Sequence, residues 1–387
     1  MRETVLRVGF MPLIDAAIPL AAAAKGFDAR RGLRLDLVRE TSWANIRDRL
    51  AIGHFDAAHL LAPMPVAAAL GLTTPATPLI APMALGLGGN AVSVSGALWA
   101  RMRQGAPQAR VGDPREMGAA LAKVATTRRL AFGVVHPFSA HNYELRYWLA
   151  ACGVDPDRDV DIVVVPPPFM PEALRIGRID GFCVGEPWSS VAAATADGRV
   201  ILTKNAIWRS SPEKVLGLRA DWADAHPDLV TRLIDALIDA ALWCGEPANR
   251  AELAAILAAP EAIGAPAAQI APALEGRLRL ADGALLDDAD FLVFARGAAN
   301  FPWKSHAAWF ARQMARWGQT TATPEDLARA ADCYRPDLYR AACRARGLDA
   351  PAIDERPDAA EPVRVAGLAG PLDLPAGGLF DVVRRVS

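Results

Sequence analysis

The feature that most constrains the fold of this chain is an alternation of strand-like and helix-like segments that starts near the amino terminus and starts again in the middle. The first copy predicts strands at residues 6–10, 33–38 and 55–61, and the helices between them end at Gly26 and Gly53. Glycine is the usual residue just past a helix C-terminus. Strand, helix, strand, helix, strand in this order is typical of a mostly parallel sheet.

The second copy begins with an apolar, strand-like run at residues 130–135 and predicts a further strand at residues 160–165. Between them we predict a helix that starts after Ser139, whose hydroxyl can cap it, and stops at Gly153. The second half of the pattern therefore has the same strand–helix–strand organisation as the first.

A ten-residue pattern recurs in the two copies. Residues 50–59 read LAIGHFDAAH, and residues 174–183 read LRIGRIDGFC. Each is the end of a helix, a glycine turn and an acidic residue early in a strand, and a proline-containing loop follows each. Two similar α/β lobes explain the repeat, and a ligand would lie between them, where loops at the carboxyl ends of the strands face each other.

Composition argues against several classes of function. Lys and Arg number 42 and Asp and Glu number 43, so the net charge of −1 gives no field that would attract nucleic acid or an anionic membrane. The longest apolar stretches fall well short of the roughly 20 residues that a membrane helix needs. The five cysteines form no C-x-x-C pair, and the histidines lack the spacing of helical metal ligands. We therefore expect no direct nucleic-acid binding, no membrane span, no metal and, without nucleotide motifs, no cofactor.

Three residues are candidates for holding an anion. Trp43 is predicted at a helix start and His141 in a first helical turn, where free N–H groups and the positive dipole end favour negative charge. Lys214 lies beside an apolar run. On residue chemistry alone, however, core packing explains the tryptophan better, a lone histidine is more often structural, and most lysines are solvated.

Several collinear motifs change this balance. They are SWANIRD at residues 42–48, DAAHLLAPMP at 56–65, GNAVS at 89–93, HNYELRYWLA at 141–150, EPW at 186–188 and PEK at 212–214. Together they resemble the nitrate- and bicarbonate-binding proteins of the NrtA/CmpA type.

The resemblance implies an α/β, two-lobed fold of the type II periplasmic-binding-protein kind, with parallel-type sheets and a helical C-terminal extension. We expect lobe one to comprise residues 1–92 and 205–350 and lobe two residues 93–204, with a tail at 351–387 that is only loosely packed. Within the extension, we predict one helix over residues 323–347, which a capping box opens.

The resemblance also implies an anion pocket formed by Trp43, Asn90, His141 and Lys214, although a glutamine is common in the family where Asn90 stands. Nitrate is a planar monoanion that needs hydrogen-bond donors on its three oxygens and one cationic partner, and these side chains supply them. The bicarbonate-binding members tend to have an acidic residue in place of Lys214 and are associated with calcium. We therefore expect nitrate or nitrite as the ligand and no catalytic residues.

The sequence begins directly at the first predicted strand. On this basis we expect a cytoplasmic sensor similar to the NasS type, which holds an RNA-binding antiterminator of the NasT type inactive until nitrate or nitrite binds. One alternative is the substrate-binding protein of an ABC transporter for nitrate, nitrite or bicarbonate. A second is an enzyme resembling the thiamine-pyrimidine synthases, whose Cys-rich motif is not found here. A third is a sensor for another oxyanion or a sulfonate.

Overall fold

The computed structural model describes residues 3–381. Its strands, in chain order, are β1 (Thr4–Phe10), β2 (Leu33–Arg39), β3 (Ala57–Leu61), β4 (Leu79–Ala84), β5 (Leu87–Gly88), β6 (Asn90–Ser95), β7 (Leu130–Val134), β8 (Val160–Val164), β9 (Gly181–Gly185), β10 (Gly198–Thr203), β11 (Trp208–Arg209), β12 (Lys214–Arg219), β13 (Arg277–Arg279), β14 (Leu285–Asp287), β15 (Leu292–Val293), β16 (Val363–Ala366), β17 (Pro371–Leu374) and β18 (Gly378–Leu379).

The helices are α1 (Ala17–Ala24), α2 (Trp43–Ala51), α3 (Pro63–Ala69), α4 (Gly96–Gly105), α5 (Pro114–Ala125), α6 (Ala140–Ala151), α7 (Met170–Arg175), α8 (Trp188–Thr195), α9 (Lys204–Ile207), α10 (Ala220–Ala225), α11 (Pro227–Gly245), α12 (Arg250–Ala258), α13 (Ala267–Leu274), α14 (Lys304–Arg316), α15 (Pro324–Asp332) and α16 (Pro336–Ala345). A short 3₁₀ turn, Ile14–Ala16, precedes α1. Within residues 3–381, no helix combines the length and the apolarity that crossing a membrane requires.

Two five-stranded sheets form the cores of the two lobes. The first has the order β2-β1-β3-β12-β4 and the second the order β10-β6-β9-β7-β8. In each sheet only one strand runs against the others: β12 is antiparallel to β3 and β4, and β6 is antiparallel to β9 and β10. Both reversed strands lie at a point where the chain enters from the other sheet. The prediction of two mostly parallel α/β lobes is confirmed.

The repeated ten-residue pattern has the same place in both sheets. It leads into β3 and into β9, and each of these strands is the third in its sheet, counted from β2 or from β8. Asp56 accepts a hydrogen bond from the backbone N–H of Arg7 on the neighbouring strand at 2.8 Å. Asp180 accepts the equivalent bond from Ala131, also at 2.8 Å. The acidic residue of the pattern thus ties its strand to the parallel neighbour in each lobe.

The chain crosses between the sheets twice. It leaves the first sheet after β4 and enters the second at β6, which starts at Asn90. It returns between the end of β10 at Thr203 and the start of β12 at Lys214, a stretch that contains α9 and β11. The lobe boundary expected at 204/205 lies at the second crossing, whereas the one expected at 92/93 falls inside β6, so we count Asn90 with lobe two; the lobe bounds stay predictions.

The C-terminal part differs from expectation in two ways. The predicted single helix over residues 323–347 is two helices, α15 and α16, because Pro336 lacks an N–H and starts a new helix at its first turn. The capping box that opens α15 at Thr323 is confirmed. The expected loose packing of the tail is wrong for its described residues, since β16 and β17 form a hairpin and β18 pairs with β11.

Candidate functional site

A cluster of polar side chains lies buried between the two sheets, and none of them is more than 5% exposed. We call it the charged cluster. Its members are Asp15, Trp43, His59, Asn90, His141, Glu144, Lys204, Glu213 and Lys214.

Local structure explains how the four predicted residues reach this place. Trp43 is the first residue of α2, a helix that Ser42 caps by accepting a hydrogen bond from the third helical N–H. His141 lies in the first turn of α6. Asn90 and Lys214 are the first residues of β6 and β12, the two reversed strands. Helix starts and crossing strands thus bring together all four residues named from the sequence.

The Lys214 ammonium group is the centre of the lobe-one side of the cluster. Its Nζ lies 2.7 Å from Oδ2 of Asp15 and 2.6 Å from Oε1 of Glu213. It also lies 5.3 Å from the ring centroid of Trp43, within the range of a cation–π contact. A buried cation needs such compensation, because leaving water unpaired would cost several kcal/mol.

Asp15 is shared between Lys214 and a histidine. Nε2 of His59 lies 2.9 Å from Oδ1 of Asp15, and the backbone N–H of Met11 donates to Nδ1 of His59 at 3.4 Å. Because Nδ1 accepts, the ring carries its proton on Nε2, facing the carboxylate. Burial lowers the pKa of His59, so the ring is neutral. Burial alone would raise the pKa of Asp15, but Lys214 and His59 outweigh it and lower that pKa.

Glu213 is the hub of the cluster. Nδ2 of Asn90 donates to its Oε2 at 2.7 Å, and Nε2 of His141 lies 3.3 Å from its Oε1. Lys204 and Lys214 both contact its carboxylate. Burial alone would raise the pKa of Glu213, but His141 and the two ammonium groups outweigh burial and lower it. Glu213 is therefore an ionised carboxylate that holds both lobes.

Lys204 and Glu144 complete the lobe-two side. Nζ of Lys204 donates to the carbonyl oxygen of Pro212 at 2.7 Å and lies 3.0 Å from Oε1 of Glu144. Burial raises the pKa of Glu144 to about 8, so this carboxyl is protonated at neutral pH. Two ammonium groups then face the two ionised carboxylates of Asp15 and Glu213, and the charged cluster is electrically neutral.

Two side chains of the cluster make no hydrogen bond through their ring nitrogens among residues 3–381. Nε1 of Trp43 and Nδ1 of His141 are buried and unpaired, and Nε2 of His141 lies 3.3 Å from Oε1 of Glu213 without forming a hydrogen bond. Burial lowers the pKa of His141 to about 3, so its ring is neutral and carries one N–H. Oδ1 of Asn90 is a buried acceptor that likewise has no hydrogen-bond partner within residues 3–381. An unsatisfied buried polar group costs about 1–3 kcal/mol, so these groups are suited to receive a ligand.

A glycine allows close packing at this point. A Cβ added to Gly185, at the end of β9, would lie 3.1 Å from Oδ1 of Asn90 and 3.3 Å from Oδ2 of Asp15. Such contacts are tighter than ordinary packing, so these neighbours would have to shift by a few tenths of an ångström to make room for a larger residue. The members of the charged cluster are almost completely shielded from solvent, and a ligand would have to enter while the lobes are separated.

Sequence reasoning missed five members of the charged cluster. Three of them lie inside quoted motifs: Glu213 in PEK, His59 in DAAHLLAPMP and Glu144 in HNYELRYWLA. The other two, Asp15 and Lys204, lie in none of the motifs and carry no local pattern. Within the described residues, no group of three or more His, Cys, Asp or Glu side chains is arranged to hold a metal ion.

The chain is similar in sequence to one protein family and to individual anion-binding proteins. The sequence profile of the NMT1-like family matches residues 2–258. Nitrate/nitrite binding protein NrtA of Synechococcus elongatus is 36% identical over 360 residues, which cover 90% of this chain and 80% of that protein. Bicarbonate-binding protein CmpA of the same species is 31% identical over 365 residues, covering 89% and 79%.

The fold has a counterpart among solved structures. The crystal structure of the periplasmic nitrate-binding protein NrtA from Synechocystis PCC 6803 superposes with a TM-score of 0.84 at 28% sequence identity. The superposition covers 95% of this chain and 94% of that one. The predicted two-lobed fold of the periplasmic-binding-protein kind is thereby confirmed.

Proposed function

We propose, since the chain belongs to the NMT1-like family and is similar to NrtA over most of its length, that it binds nitrate or nitrite in the charged cluster. Trp43 and Lys214 would contact the anion from lobe one. Asn90 and His141 would contact it from lobe two. An anion held by both lobes stabilises their closed arrangement, which is how binding becomes a conformational signal.

The observation that carries this proposal is that the Trp43 indole N–H and the His141 ring make no hydrogen bond within residues 3–381. They belong to opposite lobes, they are buried, and a buried ammonium group lies beside them. A planar anion that accepts hydrogen bonds on three oxygens can satisfy such donors without bringing a proton of its own.

Bicarbonate is the second candidate ligand, on a specific observation. Oδ1 of Asn90 is an unpartnered buried acceptor, and bicarbonate, unlike nitrate, carries a hydroxyl that can donate to it. CmpA, a relative, is named a bicarbonate-binding protein. Lys214 favours nitrate and Asn90 favours bicarbonate, so a direct competition between the two anions decides between them.

Calorimetric titration with nitrate, nitrite, bicarbonate with and without calcium, and sulfate tests the proposal. We expect micromolar or tighter binding of nitrate or nitrite, about −8 kcal/mol or better. Trp43→Phe keeps the ring but removes the N–H, and we expect it to weaken binding about ten- to a hundredfold. No binding of any of these anions would contradict the proposal.

Trp148→Phe is a matched control. The Trp148 indole is also fully buried, and its Nε1 donates to the carbonyl oxygen of Pro114 at 2.8 Å, away from the charged cluster. This variant loses one buried hydrogen bond, as Trp43→Phe would lose one to the anion, yet anion affinity should not change. An equal loss of affinity in both variants would show that Trp43 acts through general stability.

The cellular role that anion binding serves is a separate part of the proposal. We propose a cytoplasmic sensor that holds a NasT-like antiterminator until nitrate or nitrite binds. By linkage, the antiterminator would then weaken anion binding by the same factor by which the anion weakens the complex. Gel filtration of the two proteins with and without saturating nitrate tests this, and a complex that persists in nitrate would contradict it.

Two alternatives give different outcomes in the same experiments. A substrate-binding protein of an ABC transporter would bind the anion, show no complex with the antiterminator, and stimulate its transporter's ATPase activity. An enzyme like the pyrimidine synthases would turn over a substrate. We expect no catalysis, because the five cysteines lie outside the charged cluster and burial raises the pKa of the Cys183 and Cys244 thiols, which disfavours a reactive thiolate.

A further inference from the structure

A second cavity, outside the charged cluster, has a volume of about 150 Å³. It lies between the first turns of α14, strand β11 and two pieces of the C-terminal segment, residues 356–358 and strand β18. At the roughly 30 Å³ that one water occupies in the liquid, the cavity has room for a molecule of about five to ten non-hydrogen atoms. The family resemblance and the proposed function assign nothing to it.

Two arginines line the cavity. Arg356 is 9% exposed, and its Nη2 donates to the carbonyl oxygen of Pro375 at 2.8 Å, while its Nε is buried and unpaired within the described residues. Arg312 is exposed, and its side chain makes no hydrogen bond or ion pair with any residue from 3 to 381. Among the described residues, the only carboxylate lining the cavity is Asp358, so the formal charge of the walls that they form is +1.

His306 adds an unused donor. The ring is 5% exposed and packs edge-on against Trp208, with centroids 5.8 Å apart, and its nitrogens make no hydrogen bond in the described part of the chain. Burial lowers the pKa of His306 well below its usual value, so the ring is neutral and presents one N–H. His306 and Ser305 also belong to the first turn of α14, a 13-residue helix without a side-chain cap. Its positive dipole end therefore faces the cavity.

Part of the cavity wall is aromatic. The rings of Trp208 and Trp309 have centroids 4.3 Å apart and are tilted by 43°. Leu379, which pairs with Trp208 across β11 and β18, extends this apolar surface. A flat ring or a conjugated chain packs well on such a wall.

We propose that this cavity binds a small planar carboxylate, with its carboxylate group on Arg312 and Arg356 and its flat body against Trp309. The excess positive charge, the unpartnered N–H groups and the helix end select the carboxylate. The tryptophan wall selects the planar body over a fully hydrated inorganic anion. This proposal does not depend on the ligand of the charged cluster.

Benzoate is the probe for the experiment, which uses the full chain in saturating nitrate so that the charged cluster is not free to bind it. Ligand-observed NMR should show benzoate binding with a dissociation constant of a few millimolar or lower. Benzamide, which keeps the ring but has no charge, and acetate and sulfate, which lack the ring, should each bind at least tenfold more weakly. Benzoate that fails to bind, or binds no better than these three, would overturn the proposal.

Variants then locate the site. Arg312→Gln should weaken benzoate binding about tenfold, and the substitution is safe for folding because Arg312 is exposed and unpaired in the described structure. Arg344→Gln is the matched control, since Arg344 is an equally exposed helical arginine on α16, away from the cavity. Trp309→Leu should weaken benzoate more than acetate. If Arg344→Gln weakened benzoate as much as Arg312→Gln, or if Arg312→Gln had no effect, the cavity would not be the site.

Discussion

The two lobes share a sheet order and differ in the chemistry that they bring to their interface. Asp56 and Asp180 make the same backbone hydrogen bond in equivalent strands. Three residues later, β3 has His59, which faces Asp15, whereas β9 has Cys183, a buried thiol. A common backbone thus supports two different sets of side chains.

The difference extends to charge. Lobe one contributes ionised groups, with Lys214 between Asp15 and Glu213. Lobe two contributes Asn90, His141, which is neutral because its burial favours the uncharged form, and Lys204, whose ammonium group is already paired with Glu213. The comparison teaches that neutral donors can hold an anion while the charged groups around it are already paired. At the moment of binding, the anion then loses its water but the charged side chains do not.

We expect the largest loss of stability when lobe one loses its buried cation. Lys214→Met leaves two buried carboxylates facing each other, and we expect the free energy of unfolding to fall by about 3–5 kcal/mol in urea titrations. Anion binding should be lost as well.

The matched control is Lys25→Met, which removes a partly exposed ion pair with Glu252 at 2.5 Å. A surface pair of this kind contributes less than about 1 kcal/mol. Similar losses in the two lysine variants would mean that the charged cluster contributes no more than a surface pair.

The protonation state of Glu144, on the lobe-two side, can be tested through pH. Burial raises the pKa of Glu144 from 4.5 to about 8. Between these values the folded chain keeps a proton that the unfolded chain has lost, so this group lowers the free energy of unfolding as pH rises. Relative to Glu144→Gln, which cannot titrate, the wild type should lose at least about 1 kcal/mol between pH 5 and pH 8. A pH-independent difference between the two would show that Glu144 is ionised in the folded chain.

The smallest effect concerns the repeated aspartates. Asp56→Ala and Asp180→Ala should each lower the free energy of unfolding by about 1 kcal/mol, because a backbone N–H loses its acceptor. Asp180 also pairs with Arg128, so its loss should exceed that of Asp56 by about 0.5 kcal/mol. Thermal unfolding of both variants measures the difference, and a reversed order would show that the two positions are not equivalent.

The sequence predicted the parts of this molecule that local chemistry determines. Ser139 caps the helix that it was predicted to cap, and the repeated pattern occupies equivalent strands. The error at residues 323–347 came from reading a continuous helical pattern through Pro336. Local sequence signals predicted individual helices and strands, and nothing beyond the ends of each element.

The site was predictable only in part. Trp43, Asn90, His141 and Lys214 were found through resemblance, and the structure brings them together. Their paired charges were not found, because a contact such as Asn90 with Glu213 joins positions 123 apart in the chain. The spacing of residues in the sequence does not predict such pairs, because only the two crossings between the sheets, once folded, place them side by side.

The crossings also affect the order of folding. Asp15 and Lys214 are separated by 199 positions, and their contact requires the chain to have returned to the first sheet through the second crossing. Contacts of such long range are costly to close and form late. Interactions absent from the folding transition state act on the unfolding rate alone. A bound anion in the charged cluster would therefore prolong the lifetime of the folded chain without speeding its formation.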